Sequence, residues 1–446
     1  MRWMTIDRRS LLLGSLSVVA LTAPAKAVPL SAFGLDAAHF GVRPGAAGDQ
    51  SGALQRAIAE AARARVPLLL APGAYRAGGL MLPAGTQLAG IRGATRLIYT
   101  HGPSLLSSEH ADTVSLSGLT LDGGGQTLPE GRALVYFDDV KAVRIAECDV
   151  IGAGGNGVTL ESCDGEVSHT TLTGAADNAL YCNDSRGLII AANIIAKSGN
   201  GGIRLWQSGK RRDGSTIADN WIEDTAARAG GSGQNGNAIN VFRAADVIVR
   251  GNHIRNAAFS AIRGNSASNI QIVGNNCAGL GEVAIYSEFG FQGAVIADNM
   301  IDGAETGISV TNFKEGGRLA TVSGNIVRNL RTQRPGEAGV GIGVEADTVV
   351  SGNVVEGAPL AGISAGWGQY LRNVAVSGNV VRDSGIGVAV SVVAGAGVAV
   401  ISGNLFAGTL HGAIVGMEWH KVATGDLALA GAERYPQLKI AGNKVT

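Results

Sequence analysis

Arg204, Arg263, Tyr286 and Glu288 stand at matching places in a phrase that recurs along the chain. The phrase is a small residue, then Ile or Val, then alternating positions. It reads GIRLW from Gly202, AINVF from Ala238, AIRGN from Ala261 and AIYSE from Ala284. These residue types suit removal of the proton beside a carboxylate. That chemistry needs a cation to neutralise the carboxylate, a base near neutral pKa and, for a lyase, an acid for the leaving oxygen. Arg204 and Arg263 can neutralise; Tyr286 or Glu288 can move protons. Tyr181, Trp206, Asn240, Phe242 and Asn265 fall at neighbouring places. Aromatic faces cover the apolar faces of sugars, while Asn and Arg bond hydroxyls and carboxylates. The pattern predicts a groove that binds acidic polysaccharide or cell-envelope glycan. If it is catalytic, its chemistry is that of a polysaccharide lyase or epimerase. Glycoside hydrolysis fits less well, because it usually needs two carboxylates ~5–9.5 Å apart. Glu288 and Glu345 lie two repeats apart, ~9.6 Å at strand spacing. A second class of function is non-catalytic: a periplasmic scaffold, or a module that binds glycan or protein.

Other constellations carry less. Asp138, Asp139, Glu161, Asp164 and Asp184 fall near the ends of three successive strands and could hold Ca²⁺, which takes oxygen ligands; a solvated acidic edge is the simpler expectation, and no cofactor is expected. The seven His show no ligand spacing, and Cys148, Cys163, Cys182 and Cys277 show no zinc spacing. No phosphate loop or nucleophile elbow occurs.

The groove needs a frame, and the repeats supply it. A second phrase, apolar-x-apolar-x-Gly-Asn-x-apolar, places Asn at 193, 220, 252, 275, 299, 325, 353, 379 and 404, about 26 residues apart. Alternation with period two means strands. Short strands joined by Gly, Asn and Asp turns, three per repeat, describe the coils of a right-handed parallel β-helix, an all-β solenoid whose stacked coils bury a shared core. About 14 coils are expected from Leu68 onward, a rod of ~65 Å at strand spacing. The repeated Asn is read as structural: it tolerates left-handed backbone angles at a turn, bonds nearby main chain, and can stack into a ladder. Cys148 stands where later coils have Asn. Cys277 lines up with Ile222, Ile254, Ile301 and Val327, and is expected to be reduced and buried. Two outward rows follow from the alternation. The first runs Val135, Thr159, Tyr181, Arg204, Asn240, Arg263, Tyr286, Ser309, Gly343, Ser364, Ala389, Val415. The second runs Phe137, Glu161, Asn183, Trp206, Phe242, Asn265, Glu288, Thr311, Glu345, Gly366, Ser391, Met417. Arg204, Asn240, Arg263, Tyr286 and Glu288 are thus expected on one exposed sheet. Loops Gln207–Gly214, with Lys210, Arg211 and Arg212, and Ala226–Asn237 are expected to wall it.

An open solenoid end needs a cap. Leu54, Ile58, Ala61 and Ala62 recur at helical spacing, predicting a capping helix over Gln50–Arg65 with Asp49 as its N-cap. Residues 28–66 then form the N-terminal segment and 67–446 the β-helix. Ahead of them, Asp7-Arg8-Arg9-Ser10-Leu11-Leu12, a weakly apolar stretch to Leu21 and Ala25-Lys26-Ala27 resemble a twin-arginine export signal over residues 1–27. No later segment is apolar and long enough to span a bilayer. Phe40-Gly41-Val42, Asp49, LQRAI from Leu54 and the stretch Leu68–Gly90 resemble the start of pectate-lyase-superfamily β-helix proteins. Together with Arg8-Arg9 and the Asn repeats, nearly the whole chain resembles a family of twin-arginine-translocated repetitive proteins with no assigned activity. The resemblance implies a β-helix, the translocation machinery as a partner, and a periplasmic or secreted destination. The calcium-binding Asp set of true pectate lyases has no residue-by-residue match.

Composition agrees with this frame. Of 446 residues, 67 are Gly, 46% are apolar and only 16% are charged. That excludes a disordered chain, which is poor in apolar residues and rich in charge. With 36 basic and 36 acidic residues, nothing points to nucleic acid or an anionic membrane. Removing residues 1–27 leaves a net charge of −3. A twin-arginine substrate folds in a reducing compartment, so disulfides are not the expected scaffold.

Overall fold

A computed structural model describes residues 34–332 and 339–446. The export segment read over residues 1–27 lies outside the described residues. Period-two strands place aliphatic residues inward: Ile203, Ile239, Ile262, Ile285 and Ile308 are all fully buried and pair in sequence from coil to coil. The result is a right-handed parallel β-helix with one continuous core running from Ala37 to Leu438. Among the described residues one sheet holds 15 strands, from Gly73–Ala77 to Lys444–Val445, one per coil; the other holds 29. Fifteen strands stand close to the roughly 14 coils expected. The stack starts earlier than Leu68, because Leu35–Asp36 pairs with Leu68–Leu69.

The repeated Asn residues form the ladder. Asn220 donates from its backbone N and its Nδ2 to Oδ1 of Asn252, at 3.1 and 2.9 Å, and Nδ2 also donates to the Ile190 carbonyl at 2.9 Å. The same set repeats at every step from Asn193 to Asn404, and Asn443 adds one more rung. At the other end Cys148 N donates to Thr170 Oγ1 and Thr170 N to Asn193 Oδ1, so Cys148 does stand in line with the Asn. The left-handed angle is not on the Asn. It falls on the residue before, Asp219, Gly251, Gly274 or Gly324 among others. That placement leaves the amide side chain free to enter the coil and bond upward and backward. Rung-to-rung spacing varies from 23 residues to 32 and, at the last step, 39.

The capping helix spans Ser51–Ala64 and buries Leu54, Ala57, Ile58, Ala61 and Ala62. Gln55 clips it to the coil below through both directions of the Met81 backbone. The N-cap is Gln50, not Asp49. Gln50 turns its Oε1 to Arg43 N instead, and Asp49 takes the capping bonds from one position earlier, accepting from Ser51 N and Oγ at 3.1 and 2.9 Å. At the far end Ile414–Glu418 and Lys421–Asp426 form an antiparallel pair, the only one among the described residues. The four Cys are free and buried. Cys277 pairs in register with Ile254 and Ile301. Burial pushes its thiol up to about 12. No helix among the described residues is long and apolar enough to cross a membrane.

Candidate functional site

The outward rows hold through the central coils. Tyr181, Arg204, Asn240, Arg263 and Tyr286 are consecutive partners, as are Asn183, Trp206, Phe242, Asn265 and Glu288. Val135 and Phe137 do not belong to the rows. Both are fully buried, and Thr159 and Glu161 pair instead with Tyr136 and Asp138. The run Ala133-Leu134-Val135 hides the phase of the alternation; aligning Val135 with Val158 restores it and adds Tyr136 to the site.

The five residues expected on an exposed sheet share one face, but Asn240, Arg263 and Glu288 are only 3%, 7% and 2% exposed. The loop over residues 226–237 lies across the face and binds it through backbone carbonyls. Ser232 O accepts from Arg263 Nη1 at 2.7 Å, Gly233 O from Asn240 Nδ2 at 2.9 Å, and Gln234 O from Arg204 Nη2 at 2.7 Å. Arg263 also grips Glu288 with two nitrogens, Nε–Oε1 2.7 Å and Nη2–Oε2 3.0 Å, while Asn265 Nδ2 donates to the same carboxylate at 3.1 Å. Burial acts to lower the Arg263 pKa, but the Glu288 carboxylate outweighs it and holds the guanidinium more firmly protonated than usual. Arg263 and Glu288 therefore satisfy each other and are not free to neutralise or deprotonate a substrate. Glu282, missed in the sequence because it precedes the strand, reaches Arg263 Nη1 at 3.4 Å, and burial raises its pKa.

Arg204 is half-buried, its Nε has no partner among the described residues, and burial lowers its pKa. Its guanidinium lies 4.7 Å from the Trp206 ring centre and 5.7 Å from that of Tyr181. Tyr286 sits under Arg263 at 4.9 Å. The phenols of Tyr136, Tyr181 and Tyr286 are all pushed up, chiefly by burial, with Glu161 helping at Tyr136, whose hydroxyl donates to Glu161 Oε2 at 2.7 Å. A raised phenol can donate a proton but is a poor base at neutral pH.

What remains open is aromatic. Tyr181, Trp206 and Phe242 occupy three successive coils and are half-buried. Tyr181 and Trp206 meet edge to face at 5.9 Å, and Trp206 and Phe242 tilt together at 5.2 Å. Trp206 Nε1 donates to Asn240 Oδ1 at 3.2 Å, which fixes the indole. Exposed Arg243 covers Phe242 at 4.6 Å, and exposed Arg132 covers Tyr136 at 5.0 Å. The loop Gln207–Gly214 is no free wall. Most of it continues the strand Gly201–Arg212, with an irregularity between Trp206 and Arg211, and Lys210 Nζ reaches Gly290 O at 2.8 Å.

The acidic edge does not converge. Among the described residues no three His, Cys, Asp or Glu come together as a metal site. Asp139 bonds His110 at 3.0 Å, Asp184 pairs with Arg211, and Glu161 takes the Tyr136 hydroxyl. Asp164 lies in a charged hollow with Lys141 and Arg186. Asp138 pairs with Glu161 across the strands.

Comparison with known proteins bears on the frame. A family model for the right handed beta helix region matches residues 106–233 and 211–381. No curated protein sequence matches the chain. Among solved structures, the N-terminal fragment of bacteriophage phi29 gene product 12 is similar at a TM-score of 0.57 and 16% identity, over 94% of this chain and 71% of that one. Pre-mature gene product 12 of the same phage gives 0.51 and 16%, over 87% and 56%. The A-module of the mannuronan C-5 epimerase AlgE6 from Azotobacter vinelandii gives 0.46 and 16%, over 92% and 99%. At such identities the likeness concerns the fold.

Proposed function

The chain belongs to the right-handed β-helix family, and from that premise we propose that it is an exported protein that binds polysaccharide along its central coils. The observation that carries this reading is the ladder of Tyr181, Trp206 and Phe242, three half-open rings one coil apart. Successive coils lie ~4.8 Å apart, so a sugar chain lying along the axis meets a ring at each step. Arg132 and Arg243, exposed beside Tyr136 and Phe242, are the cations a carboxylate on such a chain would meet. They replace Arg204 and Arg263 in that role, since the 226–237 loop and Glu288 already occupy those two. Binding without turnover fits this geometry better than a lyase or epimerase. The phenols are too weakly acidic to serve as bases, and the Glu288 carboxylate is held by Arg263. Export by the twin-arginine route rests on Arg8-Arg9; replacing both with Lys should leave precursor in the cytoplasm on cell fractionation. A glycan array is the direct test, followed by an absorbance assay for unsaturated uronate products. Binding that falls at least tenfold in Trp206→Ala, with no product formed, is the expected result. Product formation would restore the enzyme reading, and an array with no hits would remove the glycan.

A further inference from the structure

The same face carries a second aromatic group that the central ladder does not include. Five coils beyond Phe242 the strand Ala361–Ala365 ends, and Gly366, with a φ of 81°, turns the chain into Trp367. Two coils further on, the terminal hairpin bends at Trp419, which holds a left-handed φ of 56°, and at His420. Trp419 packs against Gly368 so closely that a Cβ there would fall 2.3 Å from the ring. Trp367 meets Trp419 edge on at 5.7 Å and His420 at 4.4 Å. These rings surround a recess of about 80 Å³ with Leu360 on another side. Its floor is Ser364 and Ala389, which continue the outward row of Tyr286 through Ser309 and Gly343. The small residues of the last coils, otherwise featureless, are what make the hollow.

Two observations separate this recess from ordinary packing. Ala361, Ile386, Ala389 and Val415 form a small apolar cluster apart from the main core. Trp367 and Trp419 stay 38% and 44% exposed above it, although burying either ring would stabilise the fold. Gly343, one coil below Ser364, has no side chain to shut the recess toward Tyr286. On the other side Met417, Trp419 and His420 stand at the end of the rod, where one more strand closes the sheet.

We propose that this recess takes the terminal sugar of a glycan lying along the face. One pyranose ring lays an apolar face against Trp367 or Trp419, and its hydroxyls bond Ser364 and His420, an arrangement of apolar walls with few polar groups that suits a single ring. Among the described residues no Lys or Arg lines the recess, so the terminal sugar is uncharged. The proposal rests on the glycan reading of the central ladder, from which it lies ~24 Å along the axis at strand spacing. A ligand touching both must be a chain of several units bound by its end.

A single-ring pocket should bind a single ring. Saturation-transfer NMR with the methyl glycosides of glucose, galactose and mannose, run on the whole protein, should give transfer from at least one of them. The signal should drop to background in Trp367→Ala. It should also drop in Ser364→Trp, which fills the recess from the floor without removing a wall, and it should persist in Trp206→Ala. Transfer lost in Trp206→Ala but kept in both recess variants overturns the inference and leaves the ladder standing. No transfer from any glycoside, with binding on the array, does the same. No transfer and an empty array overturn both.

Discussion

Arg263 uses every nitrogen of its guanidinium inside the protein, two on Glu288 and one on the 226–237 loop. Removing one partner of a buried pair strands the other charge, at a cost of about 3–5 kcal/mol, while replacing both with apolar residues can be neutral. Arg263→Met should therefore destabilise by about that much, and Arg263→Met with Glu288→Leu should recover most of it; urea unfolding of the two variants measures this. If Arg263 were instead a free ligand-binding cation, the single variant would unfold like wild type. Glu345 presents the opposite case. It is buried, accepts from Phe313 N at 2.6 Å, and burial raises its pKa. A carboxyl with a raised folded pKa favours the folded state below its unfolded pKa, and that advantage fades as pH rises through the folded value. Glu345→Gln should thus raise Tm at pH 7.5 while changing it little at pH 4. An equal shift at both would show that ionisation is not the cause.

At the scale of the element, the side chain of an interior Asn such as Asn299 makes four hydrogen bonds, two accepted from the Asn one coil earlier and two donated, to the next Asn and to a main-chain carbonyl. Asn299→Ala would leave Asn275 N and one N–H of Asn275 Nδ2 without an acceptor, and would remove the Nδ2 bonds to Ile272 O and Asn325 Oδ1. Buried groups left unpaired cost about 1–3 kcal/mol each, so a loss of about 2–5 kcal/mol is expected in chemical denaturation. Asn443→Ala at the half-exposed last rung should cost under about 2 kcal/mol. Equal losses would mean that the ladder is decoration on a stack held by its core alone. The ladder and the strand register were legible from the sequence, because alternation and a fixed Asn declare their own phase. Tyr136 was lost where Ala133-Leu134-Val135 blurs that phase. The burial of Asn240 and Arg263 was not legible at all. It depends on carbonyls of a Gly-rich loop, and backbone acceptors carry no side-chain signature.

The molecule is a one-dimensional stack, in which each coil leans only on its neighbours and the ends need covers. Ile58 is the buried centre of the N-terminal cover. Ile58→Asp would set an unpaired carboxylate against the first coil, costing about 3–5 kcal/mol there. Amide exchange should then speed up in the coils before about residue 120 and stay unchanged near Asn379. Uniform acceleration would mean that the rod unfolds as one unit. The ladder spacing has a further consequence. Steps of 23, 32 and 39 residues all return the next Asn to the same rung. Whatever length is added is carried outside the stack, as the 226–237 loop and the terminal hairpin are. In the language of descent, such a chain can acquire a loop, and with it a new surface, by an insertion of almost any size. A duplication must match the coil to be inherited, so the frame can stay constant while the faces it displays diverge.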